Sequence, residues 1–221
     1  MSSVRRELPT AEHLIVDGSD LPLLPNRGHP PNLVIRHGKD RGISHAFNRG
    51  ILSANREYVI FINAGDYLID GAGGAIQQAL GGDKPDIAWF PVHRLEPDGS
   101  VTVYRPRLQW LKYAMSAPHQ GMIVRRDVFA QVGLFTLQRY AMDHHFALRV
   151  VSARPAYRID CHSTPIAVYP SGGHSTRGGY KPFLANCRNV WQISPRDWPA
   201  AVLANAYLVV KSKLAQVRVP Q

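Results

Sequence analysis

Residues 40–66 read DRGISHAFNRGILSANREYVIFINAGD, and this stretch decides the fold class. It opens on a glycine turn at Asp40-Arg41-Gly42. From Ile43 to Ala54 the residues Ile43, Ala46, Phe47, Gly50, Ile51 and Ala54 recur at helical spacing, which predicts an amphipathic helix. The run YVIFIN, Tyr58 to Asn63, is almost wholly apolar, as expected of a strand covered on both faces of a parallel sheet. The chain then turns through Ala64 and Gly65 and presents Asp66. Ligands of open α/β sheets sit just past the carboxyl ends of strands. A carboxylate there, facing a phosphate, points to a divalent cation shared between the two.

On either side of this unit the pattern continues. His13 to Asp17 and Leu33 to Arg36 read as short strands, separated by the proline-rich loop Leu21 to Pro31. Ala75 to Leu80 reads as a helix ended by Gly81-Gly82. The runs Asp86 to Val92 and Val101 to Arg105 bracket the turn signal Glu96-Pro97-Asp98-Gly99 and predict a hairpin or two adjacent strands. Met122 to Arg125 is a strand; Asp127 to Val132 and Met142 to Val151 are helices. Residues 170–179, PSGGHSTRGG, form a glycine-rich loop, and two helices follow near 181–193 and 198–217. Strands alternate with helices, which argues for an α/β fold with a mainly parallel sheet. Gly71-Ala72-Gly73-Gly74 is not a dinucleotide fingerprint, because Ile76 stands where its third glycine belongs.

Composition narrows the classes further. The 221 residues carry 26 Lys or Arg against 16 acids, a net charge of +10. A basic balance favours nucleic acid, anionic lipid or phosphorylated small molecules. No helix concentrates arginine with aromatic stacking groups, which argues against nucleic acid. Residues 181–221 hold six Lys or Arg against Asp197 alone. Two cysteines, Cys161 and Cys187, exclude a disulfide scaffold. The first residues lack the apolar core of a secretory signal, and the longest apolar run, Trp198 to Val210, falls short of the ~20 residues of a membrane span.

Five pieces in order resemble the inverting family 2 glycosyltransferases of the GT-A fold. They are the Asp-Gly-Ser turn within Glu12 to Asp20; Asp40-Arg41-Gly42-Ile43 with Ala46-Phe47-Asn48-Arg49-Gly50; Asn63-Ala64-Gly65-Asp66; His119 to Phe135 with Ala141 to Arg149; and Gly172-Gly173-His174-Ser175. The resemblance covers residues 4–178 and implies a GT-A-like, Rossmann-like domain over 1–180, N-terminally truncated, with a basic helical extension over 181–221. It implies an enzyme of hexosyltransferase type. The reaction would move a sugar from a nucleotide-sugar donor to a saccharide or lipid-linked acceptor, with inversion, in cell-surface polysaccharide biosynthesis. The alternative is a non-catalytic binding or regulatory subunit.

Site residues follow from the same resemblance. Asp143 matches the catalytic base, although Met142 stands where an acid is usual. Asp66 and His174 are the expected contacts to Mg²⁺ or Mn²⁺ and the diphosphate. Asp17, Asp40, Asn48, His119 and Gln120 would line the nucleotide-sugar pocket, with Asn48 equally suited to bracing its helix. His144 and His145 could tune Asp143, and Arg125, Arg126 and Arg177 could meet phosphate. The family's first strand and helix have no counterpart here, which leaves a sheet edge open unless another segment or an oligomeric partner completes it. A cytoplasmic location follows, with the basic extension able to rest on an anionic membrane surface.

Overall fold

The computed structural model describes residues 2–22, 30–153, 156–173 and 179–217, with side chains up to residue 211. The first elements are α1 (Ser2–Glu7), β1 (His13–Asp17), β2 (Leu33–His37), α2 (Ile43–Ser53), β3 (Tyr58–Ile60), β4 (Tyr67–Leu68) and α3 (Ala72–Gly81). Then come β5 (Ile87–Trp89), β6 (Val92–Leu95), β7 (Val101–Tyr104), β8 (Met122–Arg125), α4 (Arg126–Val132) and α5 (Met142–Ser152). The chain closes with β9 (Ile159–Cys161), β10 (Ala167–Pro170), α6 (Lys181–Ile193) and α7 (Trp198–Val217).

Three sheets form among the described residues: β1-β2, β3-β8-β5-β9 and β4-β10-β6-β7. The α/β class with flanking helices is as expected, but the pairing is mixed rather than mainly parallel. β1-β2, β5-β9 and β6-β10 are parallel, whereas β8 runs antiparallel between β3 and β5. The reason lies in the connections: β6 and β7 are joined by the tight turn at Glu96–Gly99, and β8 is reached from β7 through two short 3₁₀ turns, Leu108–Trp110 and His119–Gly121, with no crossover α-helix between them. The run Asp86 to Val92 is not one strand. Pro91 removes a ladder donor, and the chain leaves the β5 sheet there to enter the β6 sheet.

The strand expected over 58–63 is regular only to Ile60. Its ladder with β8 ends at the Ile60–Ile123 pair, and its other edge meets no strand among the described residues. Alternation still sorts its side chains. Val59 and Phe61 enter a core of Phe47, Phe129, Phe135 and Phe146, while Tyr58, Ile60 and Ile62 pack with Ile76, Phe90 and Ile123. The first core carries stacked and edge-on rings, Phe47–Phe61 at 4.3 Å and Phe129–Phe146 at 4.7 Å. Asymmetric apolar burial of this kind fixes which way each strand faces. At the far end, α6 lies against both α5 and α7.

Candidate functional site

The turn after β3 is closed by its own residues. Asp66 N–H donates to the Asn63 carbonyl at 3.0 Å, and Asn63 N–H donates back to Asp66 Oδ2 at 3.2 Å. Gly65 sits at φ 95°, which glycine adopts without strain. The turn thereby holds the Asp66 carboxylate in place. Gln120 Nε2 donates to the same Oδ2 at 3.0 Å, so none of these bonds uses Oδ1. Burial pushes the Asp66 carboxyl above its ordinary range, more than the Gln120 and Asn63 hydrogen bonds lower it. A desolvated carboxylate is the donor chemistry that a hard divalent cation takes. Among the described residues no cluster of three or more His, Cys, Asp or Glu stands ready to hold an ion, so such a cation would draw its other ligands from a bound phosphate and water.

From this turn a hydrogen-bonded chain reaches the second carboxylate. Asn63 Nδ2 donates to His119 Nε2 at 3.0 Å, which leaves the ring proton on Nδ1, and Nδ1–H donates to Asp143 Oδ2 at 3.2 Å. The His119 and Asp143 side chains are 12% and 20% exposed, enough for a ligand to reach them. Burial alone would raise the Asp143 carboxyl. The His119 contact and the His144 backbone N–H, 2.9 Å from Oδ1, outweigh it and hold the carboxyl below its ordinary range. A pKa raised by burial would be the usual way to strengthen such a base; here the group is kept ionised instead.

Asp143 owes its position to a strained helix start. Ala141, preceding α5, has φ 55°, the left-handed region that costs a residue with a Cβ. Its carbonyl is held by His145 N–H at 3.0 Å and by Asn189 Nδ2 from α6 at 2.9 Å. Asn189 is fully buried and also approaches His144 Nδ1 at 3.3 Å. His144 in turn donates from Nε2 to the Leu111 carbonyl at 2.6 Å, and burial lowers its pKa. It is thus a neutral structural strut rather than a partner for substrate. His145 faces the Thr136 hydroxyl at 3.0 Å, and burial, with the charges of Arg149, His144 and Arg188, pushes its pKa down to about 4.

The other expected residues divide. Asp17 and Asp40 come together at the ends of β1 and the turn before α2. Asp17 accepts from the Ser19 backbone at 3.0 Å, and Asp40 accepts from Gly42 N–H at 2.8 Å. A Cβ on Gly18 would lie 1.9 Å from Asp40 Oδ2, so the two turns touch only because residue 18 is glycine. Asn48 belongs to the bracing reading: its amide nitrogen donates to the Phe135 carbonyl at 2.8 Å and its oxygen accepts from Phe135 N–H at 3.0 Å, inside the core. Arg125 is paired with Asp86 and Arg126 donates to the Ala54 carbonyl, so both serve the β8 region rather than a phosphate. His174 and Arg177 lie outside the described residues.

Sequence reading missed Asn63 and Asn189 as members of the site. Asn63 was visible as a polar end to an apolar strand. Nothing local marks Asn189, whose partners are 48 and 45 residues away.

No family description and no curated protein matches the chain by sequence. Solved structures do match in shape. S. aureus TarS, residues 1–349, aligns with TM-score 0.57 and 13% identity over 86% of this chain and 59% of that one. The same protein in complex with UDP-GlcNAc aligns with TM-score 0.53 and 13% identity over 74% and 51%. The mannosyltransferase PcManGT from Pyrobaculum calidifontis, in complex with GDP-Man and Mn²⁺, aligns with TM-score 0.54 and 16% identity over 86% and 60%. The chain therefore has the fold of GT-A-type glycosyltransferases, and it spans just over half the length of the structures it matches.

Proposed function

We propose that the chain is a glycosyltransferase that moves a sugar from a nucleotide-sugar donor to a hydroxyl of a saccharide or lipid-linked acceptor, with inversion. The observation that carries this reading is the connection of two carboxylates, Asp66 and Asp143, through Asn63 and His119 within one GT-A-type fold. Asp143 would accept the proton of the attacking acceptor hydroxyl. Its ionised state suits that role at neutral pH, and proton removal coupled to leaving-group departure lets a weak base suffice. His119, by donating Nδ1–H to Oδ2, would fix which carboxylate oxygen faces the acceptor.

Asp66 would hold Mg²⁺ or Mn²⁺ through the oxygen not engaged by Asn63 and Gln120; when bound, the cation neutralises charge building on the departing diphosphate. Asp17 and Asp40 would line the nucleoside wall and Gln120 the sugar side. Work on cell-surface polysaccharide at the cytoplasmic face of a membrane fits the basic α6–α7 region, where Lys181, Arg196 and Lys211 are exposed, as are Trp191 and Tyr207. Each such base would add about 1 kcal/mol of attraction to anionic lipid. No described helix is long and apolar enough to cross a membrane.

A screen of UDP-, GDP- and dTDP-sugars for hydrolysis and transfer tests the proposal, with Asp143→Asn and Asp66→Ala as controls. Metal-stimulated turnover of one donor, lost in both variants, is expected. Unchanged turnover in Asp143→Asn would refute the base assignment. The non-catalytic reading draws on Met142 in place of an acid beside Asp143. Nucleotide binding without turnover of any donor would favour it.

A further inference from the structure

The sheet β4-β10-β6-β7 carries a row of side chains that starts at the Asp66 turn. β10 pairs antiparallel with β4 through Ala167–Leu68 and Val168–Tyr67, and the next step of that register sets Tyr169 opposite Asp66. The adjoining ladders set Tyr169 opposite Arg94, and Arg94 opposite Thr102. Directly opposed residues share one face of a sheet, so these four lie in line. At ~4.8 Å per strand, Arg94 stands about 10 Å from Asp66. Tyr104 joins the row diagonally, with Arg94 Cζ over its ring, 5.1 Å from the centroid. Pro170 closes against the turn, its Cγ 3.8 Å from where a Cβ on Gly65 would lie.

The row leaves several polar atoms uncommitted. Tyr104 and Tyr169 are half-buried, and both rings rest on the core of Leu68, Val92 and Ala167. Neither phenol hydroxyl has a hydrogen-bond partner among the described residues. Burial raises the Tyr169 phenol well above its ordinary range, with Tyr104, Glu96 and Asp66 adding to the effect and Arg94 opposing it, so the group remains an O–H donor. Arg94 Nε donates to Glu96 Oε1 at 2.5 Å. Both Nη groups of Arg94 and Oε2 of Glu96 have no partner among the described residues.

These groups select against two kinds of ligand. The phenol rings lie 6.4 Å apart and are tilted by 56°, which offers no parallel slot to a nucleobase. A free phosphate or carboxylate would meet an arginine whose charge Glu96 already offsets, with a carboxylate oxygen beside it. What remains is a donor fork, an acceptor oxygen and two phenols over an apolar floor. Hydroxyls set around a C–H surface match it, because each both donates and accepts. A sugar ring has that form. The proposed nucleoside wall lies on a different sheet, β1-β2, which leaves this row to the acceptor.

We propose that Tyr169, Tyr104 and the Arg94–Glu96 pair form a subsite for an uncharged sugar ring of the acceptor, an inference that rests on the glycosyltransferase reading above.

Saturation-transfer NMR on the full chain, without nucleotide, tests it. The probes are neutral methyl glycosides of glucose, galactose, mannose and N-acetylglucosamine, with glucuronate and glucose 1-phosphate as charged counterparts. At least one neutral glycoside should bind saturably, and more tightly than either charged sugar. Arg94→Met and Tyr104→Ala should each weaken it about tenfold, and Tyr169→Phe, which removes a single hydroxyl, about threefold, in chains whose circular dichroism is unchanged. Saturable binding of no neutral glycoside, tighter binding of a charged sugar, or wild-type affinity in all three variants overturns the proposal. The readout needs no nucleotide. Donor turnover by a chain whose variants bind glycosides like wild type would sink the subsite alone. Glycoside binding by a chain that turns over no donor would sink the glycosyltransferase reading alone.

Discussion

The two walls of the cleft are built differently. The wall carrying Asp143 is closed: β8, α5 and α6 interlock through His119, His144 and Asn189, and nearly every polar atom named there has a partner. The wall carrying Asp17 and Asp40 rests on β1, β2 and α2, and an apolar slot separates it from β3. Preorganised dipoles and fixed carboxylates are what a chemical step needs, whereas the second wall, proposed to hold the nucleoside, needs correct spacing. The comparison suggests that changes on the first wall alter rate and stability, and that changes on the second alter binding.

The largest effect is expected from Asp143→Asn. It should lower turnover roughly 10²- to 10⁴-fold, the range for a lost general base, while nucleotide affinity measured by titration stays unchanged. A parallel loss of affinity would break the division between walls. On the opposite wall, Gly18→Ala pushes a methyl against the Asp40 carboxylate. It should weaken nucleotide binding about tenfold, or about 1.4 kcal/mol, with saturating turnover little altered.

Asn189→Ala probes how far the closed wall depends on α6. Removing this buried amide frees the Ala141 carbonyl and exposes the strain of the left-handed residue. A loss of about 1–3 kcal/mol is expected in urea unfolding. Stability equal to wild type would detach α6 from the site and support the boundary near residue 180.

The smallest effect concerns pH. His145 has a folded pKa near 4 against 6.5 for the free side chain. Between those values the unfolded chain binds the proton and the folded chain does not. This group's contribution to stability is therefore complete above pH 6.5 and declines as pH falls toward 4. Comparing unfolding at pH 4.5 and 7, His145→Gln should show a shallower loss than wild type. An identical slope would mean that burial does not lower the His145 pKa.

Much of this was legible in the sequence, for a physical reason in each case. β8 at Met122–Arg125 and the helices at 181–193 and 198–217 fall where apolar periodicity put them, because side-chain burial is read residue by residue. The strands β4 and β9, of two and three residues, carry too few positions for any period to appear. The sheet change at Pro91 depends on pairings from distant segments, which no local pattern encodes. Asp66 and Asp143 could be singled out as strand-end and helix-start acids. Their linkage through Asn63 and His119 could not, since it joins residues 56 and 24 positions apart. Asn48 shows the converse: a polar residue at a motif position turned out to brace Phe135.

Asp66 is where the two walls meet, because its turn ends β3 beside the slot and Gln120 and Asn63 tie it to the closed side. Isothermal titration of UDP and GDP into the full chain, with and without Mn²⁺, examines it without requiring a known acceptor. One nucleotide should bind much more tightly with Mn²⁺ present, and Asp66→Ala should abolish the metal dependence while circular dichroism stays the same. Binding that ignores the metal in the wild-type chain, or a metal response retained by Asp66→Ala, would show that this carboxylate does not hold the cation.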